Sequence, residues 1–211
     1  MQGRAPVARA VVDVGTLHGP ARVHLHAAAV PRAALVLGHG AGGGVTAPDL
    51  VAATTAALAQ GLSVALVEQP YRVAGRRSPA PAKQLDAAWV TVLEWLRADP
   101  LAGLMLLAGG RSSGARVACR TAADTGAAAV LCLAFPLHPP GRPDRSRLGE
   151  LTAVRVPVLV VQGERDPFGL PPPGRGRKVV QVAGDHSLRA DPGAVTAAIG
   201  SWLRRVVLSS L

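Results

Sequence analysis

The stretch Leu104-Met105-Leu106-Leu107-Ala108-Gly109-Gly110-Arg111-Ser112-Ser113-Gly114 decides how this chain folds. Its apolar first half, residues 104–108, predicts a buried strand, and residues 115–123 predict a helix after it. A serine with glycines two positions before and two positions after it, at a turn from strand to helix, is typical of a nucleophile elbow. Side chains at those two positions would clash in so sharp a turn. The pattern predicts a reactive serine at the carboxyl edge of a sheet.

The spacing of the glycines selects one of the two serines. Gly110 and Gly114 flank Ser112 symmetrically, whereas Ser113 has an arginine at one of the equivalent positions. Because arginine does not satisfy the need for a small residue, Ser112 is the predicted nucleophile. The backbone N–H of Ser113 is then predicted to face the oxyanion that forms during attack.

Strand and helix patterns alternate along the chain, which predicts an α/β fold with a parallel sheet covered by helices on both faces. The predicted strands are residues 7–14, 21–26, 33–37, 62–67, 104–108, 128–135, 158–162 and 178–182. The predicted helices are residues 49–59, 83–98, 115–123 and 192–207. With 211 residues, 49% of them hydrophobic, the chain is predicted to form one domain over residues 1–211, with no segment large enough for a separate lid domain.

Composition and charge argue against several classes of protein. The net charge is +10, yet the arginines are scattered and only 3% of the residues are aromatic, so nucleic-acid binding is not expected. No apolar run is long enough to cross a membrane, and residues 1–14 lack the apolar centre of a signal peptide, so a cytoplasmic protein is predicted. Cys119 and Cys132 are predicted to be buried small residues, and no Cys or His cluster predicts a metal site. No cofactor is predicted.

A serine nucleophile needs a base, and that base needs an acid to orient it. Asp166 follows the predicted strand 158–162, and His186 follows the predicted strand 178–182. Such groups gather where the carboxyl ends of parallel strands meet. The chain order Ser112, Asp166, His186 is the order expected after a nucleophile elbow, so these residues are the predicted nucleophile, acid and base.

Other residues compete for the roles of acid and base. Glu164 lies nearer the end of the strand than Asp166 does, and Asp185 adjoins His186, although neighbouring side chains rarely face each other. His138, in Leu137-His138-Pro139-Pro140-Gly141, is the main alternative base, and it is alternatively predicted to line the substrate pocket.

The glycine-rich stretch His39-Gly40-Ala41-Gly42-Gly43-Gly44 follows the predicted strand 33–37, where the second oxyanion donor is normally built. The N–H of Ala41 is the predicted donor, and Gly42 is predicted to contact the substrate. His39 is predicted to be structural.

The same stretch also matches the dinucleotide-binding pattern G-x-G-x-x-G, and Glu68 ends the next predicted strand. Against this alternative, the next helix is predicted to begin near Pro48, several residues after the glycines, whereas a pyrophosphate site needs the helix to start within them. A dinucleotide site would also leave Ser112, Asp166 and His186 without a role.

Basic residues are expected to surround the carboxyl edge of the sheet. They are Arg72, Arg76, Arg77, Arg111, Arg142, Arg145 and Arg165. A basic rim would favour a small anionic substrate, with Arg111 among its contacts, and it is equally consistent with a basic surface that has no role in binding.

The chain resembles a compact alpha/beta-hydrolase over nearly its whole length. More narrowly, it resembles the bacterial relatives of the testis-expressed protein thirty and NSL-complex subunit three family. The segments that carry this narrower resemblance are Gly110-Arg111-Ser112-Ser113-Gly114-Ala115-Arg116, Leu137-His138-Pro139-Pro140-Gly141, Gln162-Gly163-Glu164-Arg165-Asp166-Pro167-Phe168 and Asp185-His186-Ser187-Leu188. The resemblance implies a Ser112-Asp166-His186 triad and a mostly parallel sheet of seven or eight strands.

Two functions from different classes are consistent with these residues. The first is a serine hydrolase that cleaves an ester, thioester or related acyl bond of a small molecule through an acyl-enzyme intermediate. The second is a binding or scaffold protein on a hydrolase fold with little or no catalytic activity, because a fold does not fix a function.

Overall fold

A computed structural model describes residues 8–208 of the chain, along which strands and helices alternate. The strands are β1 Ala8–Thr16, β2 Gly19–Ala27, β3 Ala33–Gly38, β4 Leu62–Glu68, β5 Leu106–Arg111, β6 Val130–Leu133, β7 Val158–Gly163 and β8 Arg177–Val182. The helices are α1 Pro48–Ala59, α2 Pro70–Val73, α3 Ala82–Ala98, α4 Ser113–Arg120, α5 Leu148–Ala153 and α6 Pro192–Leu208.

The strands form one eight-stranded sheet in the order β1-β2-β4-β3-β5-β6-β7-β8. β1 pairs with β2, and β2 with β4, in antiparallel fashion, and all the other pairs are parallel. The predicted α/β fold with a mostly parallel sheet is therefore confirmed. Within residues 8–208, the connection from β6 to β7 holds only the short helix α5, so it contains no separate lid domain.

Two hydrophobic layers hold the helices against the sheet. β3 is buried along its whole length, as a strand covered on both faces should be. α1 and α6 pack on one face, and α3 and α4 pack on the other. On α3, one apolar stripe is buried against the sheet, including Trp89 and Leu93. Each fully buried side chain of this size contributes about 1.5–3 kcal/mol, so the packing fixes the elements that carry the candidate site.

Several predicted boundaries differ from the structure. The strand predicted to end at residue 108 instead continues as β5 to Arg111, because Gly109 and Gly110 pair with β6 as strand residues. β6 is shorter than predicted because Ala134 adopts a positive φ of 48°, which ends the extended backbone. The short helices α2 and α5 were not predicted. Residue 7, the predicted start of the first strand, lies outside the described residues.

The two cysteines are buried and free, as predicted. Cys119 lies on α4 and Cys132 on β6, and their sulfur atoms are 3.5 Å apart. The hydrogen bond with Cys119, together with burial, raises the pKa of Cys132 well above its usual value. Both thiols therefore act as small packing groups between the sheet and α4.

Candidate active site

Ser112 occupies a strained turn between β5 and α4. Its φ of 50° and ψ of −108° lie in a region that side chains rarely adopt, and its N–H donates to the carbonyl of Leu133 at 2.8 Å. A Cβ on Gly110 would lie 2.5 Å from the carbonyl oxygen of Gly38, and one on Gly114 would collide with the same carbonyl. The two flanking glycines are therefore required because β3 passes directly against the turn.

His186 lies within hydrogen-bond distance of Ser112. Its Nε2 is 2.9 Å from the Ser112 Oγ, and its Nδ1 is 2.8 Å from Oδ2 of Asp166. Because an ionised carboxylate only accepts, Nδ1 carries the proton in this arrangement and Nε2 is free to accept from the serine hydroxyl. The structure thus brings together the three residues that the sequence predicts as nucleophile, base and acid.

The carboxylate of Asp166 is held from both of its oxygens. Oδ1 accepts from the N–H of Phe168 at 2.9 Å, and Oδ2 accepts from Nε2 of Gln162 at 2.7 Å. The side chain of Asp166 is 1% exposed. The ring of Phe168 also packs on the imidazole of His186, with the ring centroids 4.3 Å apart. These contacts leave the carboxylate a single orientation, toward His186.

Gln162 is a supporting residue whose role sequence reasoning missed. It is fully buried at the end of β7, and its amide group also contacts the carbonyl oxygens of Phe135 at 3.1 Å and Gly169 at 2.9 Å. A polar residue inside an otherwise apolar strand, four positions before the acid, was the signal available in the sequence.

The alternative candidates for the acid and the base are not part of the hydrogen-bonded chain from Ser112 to Asp166. Glu164 is exposed, and Asp185 accepts from the N–H and the hydroxyl of Ser187 at 2.8 and 2.6 Å. The Nδ1 of His138 is 2.9 Å from the carbonyl oxygen of Pro139, and the ring packs against Gly169. His138 therefore contacts the loop that follows Asp166, and its predicted contact with substrate remains a prediction.

The loop after β3, which carries Ala41 and Gly42, is held by two side chains. The hydroxyl of Tyr71 donates to the carbonyl of Ala41 at 2.8 Å. Burial raises the pKa of Tyr71 to about 12, so the hydroxyl remains a donor at neutral pH. Nδ1 of His39 donates to the carbonyl of Gly40 at 2.7 Å, and its Nε2 accepts from the N–H of Gln69 at 3.1 Å. His39 therefore has the structural place that the sequence predicts.

Ser113 is the first residue of α4, and its N–H is one of the donors that a helix leaves unpaired at its amino end. The helix dipole adds a partial positive charge at the same point. This N–H and that of Ala41 are the two predicted donors to an oxyanion on the carbon attacked by Ser112.

Arg111 links the start of α1 to the loop that carries His186. Its Nε lies 2.9 Å from Oδ2 of Asp49, whose side chain is fully buried, and one of its terminal nitrogens donates to the carbonyl of His186 at 3.2 Å. Oδ2 of Asp49 has no hydrogen-bond partner among the described residues, so its contact with Arg111 is an ion pair. The predicted contact of Arg111 with substrate remains a prediction.

A groove of about 610 Å³ on this protein does not coincide with the candidate active site. It lies at the amino end of β7, opposite the edge that carries Ser112. A smaller cavity of about 260 Å³ adjoins the site and is lined by Arg111 and by Arg189, which the sequence did not single out.

Within residues 8–208, no helix is both long and apolar enough to cross a membrane, and no group of three or more His, Cys, Asp or Glu side chains is placed to hold a metal.

The glycine-rich loop is not joined directly to a helix. α1 begins at Pro48, after Gly44, so the glycines do not form its first turn. Glu68, which would contact a ribose in a dinucleotide site, instead lies 3.1 Å from Nε2 of His24. The structure therefore gives no support to the dinucleotide-binding alternative.

The sheet order and the sharp turn from β5 into α4 define a protein of the alpha/beta-hydrolase class. The chain belongs to the alpha/beta hydrolase domain family, which it matches over residues 31–190.

Solved structures share this fold across nearly the whole chain. A serine hydrolase without a lid from Xanthomonas campestris has a TM-score of 0.75 and 21% identity and covers 97% of both chains. A dienelactone hydrolase from Anabaena variabilis has a TM-score of 0.72 and 20% identity, covering 94% of this chain and 98% of its own. An esterase from Pyrococcus furiosus has a TM-score of 0.76 and 12% identity, covering 95% and 92%.

Proposed function

We propose that this protein hydrolyses an ester, thioester or related acyl bond of a small molecule, with Ser112 as the nucleophile. The observation that carries the proposal is the continuous hydrogen-bonded chain from the Oγ of Ser112 to His186 and on to Asp166, with steps of 2.9 and 2.8 Å. The names of similarly folded proteins, which include an esterase and a dienelactone hydrolase, agree with this chemistry.

The first half of the reaction forms an acyl-enzyme. The Oγ of Ser112 attacks the carbonyl carbon, and its proton passes to Nε2 of His186. The backbone N–H groups of Ala41 and Ser113 stabilise the oxyanion of the tetrahedral intermediate. When the intermediate collapses, the bond to the leaving group breaks and the imidazolium returns the proton to the departing alcohol or thiol.

The second half releases the acid. His186 takes a proton from a water molecule, whose oxygen attacks the acyl carbon and forms a second tetrahedral intermediate. Collapse breaks the bond to Ser112, which recovers its proton from His186. Asp166 remains ionised throughout and stabilises the imidazolium in each half.

A fluorophosphonate probe and short acyl esters test the proposal. Mass spectrometry of the labelled protein is expected to place the adduct on Ser112. The Ser112→Ala variant should lose the label and about 10⁴–10⁶-fold of the turnover. Ser78→Ala, at an exposed position after α2, provides the matched control and should retain both. A folded protein that neither reacts with the probe nor cleaves any ester would favour the scaffold alternative.

The finer family relation to the testis-expressed protein thirty and NSL-complex subunit three group remains a prediction, as does the cytoplasmic location.

A further inference from the structure

A cavity of about 260 Å³ opens beside the proposed catalytic groups. Its lining includes Gly42, Gly43, Arg111, Ser187 and Arg189. Gly42, Arg111 and Ser187 are the chain neighbours of Ala41, Ser112 and His186 respectively. Consecutive Cα atoms are about 3.8 Å apart, so the lining adjoins the backbone of the residues proposed to react. The cavity is therefore placed for a group that the substrate carries near its acyl carbon.

The cavity has a basic lining. Two arginines line it and no acidic side chain does. The charge of Arg111 is partly balanced by Asp49 behind it, at 2.9 Å. Arg189 is exposed, and no carboxylate within residues 8–208 forms an ion pair with it. Its positive charge is therefore available to a ligand.

The acidic group on the same loop is already engaged. Asp185 accepts two hydrogen bonds from Ser187, which lower the pKa of its carboxyl group. Arg165 lies close enough to favour the same ionised carboxylate. Asp185 therefore keeps its negative charge, but its hydrogen bonds lie within its own loop and no ion pair joins it to Arg189.

We propose that this cavity binds a carboxylate carried by the substrate a short distance from the scissile bond, with Arg189 as its main contact. The proposal rests on the hydrolase function proposed above and narrows it to esters of small acids or alcohols that bear a carboxylate. An arginine guanidinium suits this group because its N–H donors match the two oxygens of a carboxylate. The cavity is below the usual size range of drug-sized ligand sites, about 300–1,000 Å³, which favours short substrates.

Matched pairs of esters test this preference. Mono-4-nitrophenyl glutarate and 4-nitrophenyl valerate differ in a carboxylate on the acyl side. The pair 4-acetoxybenzoate and phenyl acetate differs in a carboxylate on the leaving-group side. In at least one pair, the wild type should favour the charged ester, and Arg189→Gln should lower the ratio of the two kcat/KM values by about tenfold, because a hydrogen bond to a charged group is lost.

The loss should appear mainly in KM, because the carboxylate contact is present in both the ground state and the transition state. Arg175→Gln makes the same change of charge at the opposite end of the sheet, beside the 610 Å³ groove, and provides the control. It should leave the ratio unchanged. An equal fall in both variants would assign the preference to the net charge of the protein and overturn the cavity as its source.

A binding measurement separates failure of this inference from failure of the hydrolase function. Calorimetry on the Ser112→Ala variant should show binding of monoethyl glutarate and of 4-acetoxybenzoate. Adding Arg189→Gln to this variant should weaken the binding, whereas adding Arg175→Gln should not. Ester hydrolysis that depends on Ser112 but shows no Arg189-dependent preference in either pair would overturn the carboxylate site alone. Arg189-dependent binding without hydrolysis of any ester would support the site and overturn the proposed function. If neither Arg189-dependent binding nor ester hydrolysis is observed, the carboxylate site and the proposed function are both overturned.

Discussion

The guanidinium of Arg111 lies 2.9 Å from the buried carboxylate of Asp49 and also donates to the backbone carbonyl of His186. α1, the end of β5 and the loop that carries the proposed base are thereby joined through one side chain. Burial raises the pKa of Asp49, while Arg111 acts in the opposite direction. The ionised form of Asp49 is therefore stabilised by Arg111. Arg111 in turn positions the backbone of His186 through the hydrogen bond to its carbonyl.

Asp49→Asn is expected to destabilise the fold by about 2 kcal/mol, because it leaves Arg111 largely buried without its counter-charge. The side chain of Arg111 is 19% exposed, so solvent replaces only part of the lost interaction. Urea unfolding measures the change. Asp144→Asn removes a carboxylate from an ion pair whose two side chains are 50% and 63% exposed, and it should change stability by less than about 0.5 kcal/mol. Equal effects in the two variants would show that the buried pair stabilises the fold no more than an exposed pair does.

Gln162→Met is expected to lower both stability and kcat. The substitution nearly conserves volume but removes the donor to Asp166 and leaves the carbonyls of Phe135 and Gly169 without this partner. Unsatisfied buried groups cost about 1–3 kcal/mol, and looser orientation of Asp166 should reduce kcat by about tenfold.

Gln181→Met provides the control for Gln162→Met, because Gln181 pairs with Gln162 in the sheet but is exposed. Denaturation curves measure the stability of both variants, and ester kinetics measure their kcat. A Gln162→Met protein with the kcat and stability of the wild type would mean that Asp166 is held without Gln162.

Gly114→Ala is expected to destabilise the protein by about 1–3 kcal/mol, because the added methyl group has no room. It would collide with the carbonyl of Gly38 and lie 2.8 Å from the carbonyl oxygen of His39. Gly149→Ala makes the same change in α5, where no atom lies within 4 Å of the new methyl, and should be neutral or slightly stabilising. Thermal unfolding of the two variants measures the contrast; similar melting temperatures would argue against close approach of β3 to the turn.

The sequence predicted the sheet and the chain order of the candidate triad because these features depend on local patterns. Apolar runs, turn glycines and the positions of Asp166 and His186 after predicted strands are all visible without a structure. The end of β5 was not predictable in the same way. Gly109 and Gly110 have the composition of a turn, and only pairing with the neighbouring strands shows that they extend β5 to Arg111.

The supporting residues were missed because their roles depend on contacts between distant segments. Tyr71 reaches Ala41 across 30 positions of the chain, and Asp49 meets Arg111 from the start of α1. Arg189 was one basic residue among many until folding placed it beside Arg111 in one cavity. Such juxtapositions follow from tertiary packing, which a single sequence does not report.

Acidification is expected to destabilise the fold through His39. Burial lowers the pKa of this imidazole, although its hydrogen bond to the carbonyl of Gly40 opposes the shift. The unfolded chain takes up a proton at this position near pH 6.5, whereas the folded protein resists until a lower pH. Because the unfolded state then binds more protons, the stability contributed by neutral His39 is present above about pH 6.5 and is lost as the pH falls below it.

The change in unfolding free energy between pH 7.5 and pH 5.5 measures this contribution. His39→Gln should be less stable than the wild type at pH 7.5, because the bonds to Gly40 and Gln69 are disturbed, but it should lose less stability on acidification. His18→Gln, at an exposed position in the turn between β1 and β2, provides the reference for removal of a histidine. If the wild type and His39→Gln lose the same stability over this range, the acid sensitivity arises elsewhere and the folded protein does not hold His39 neutral against protonation.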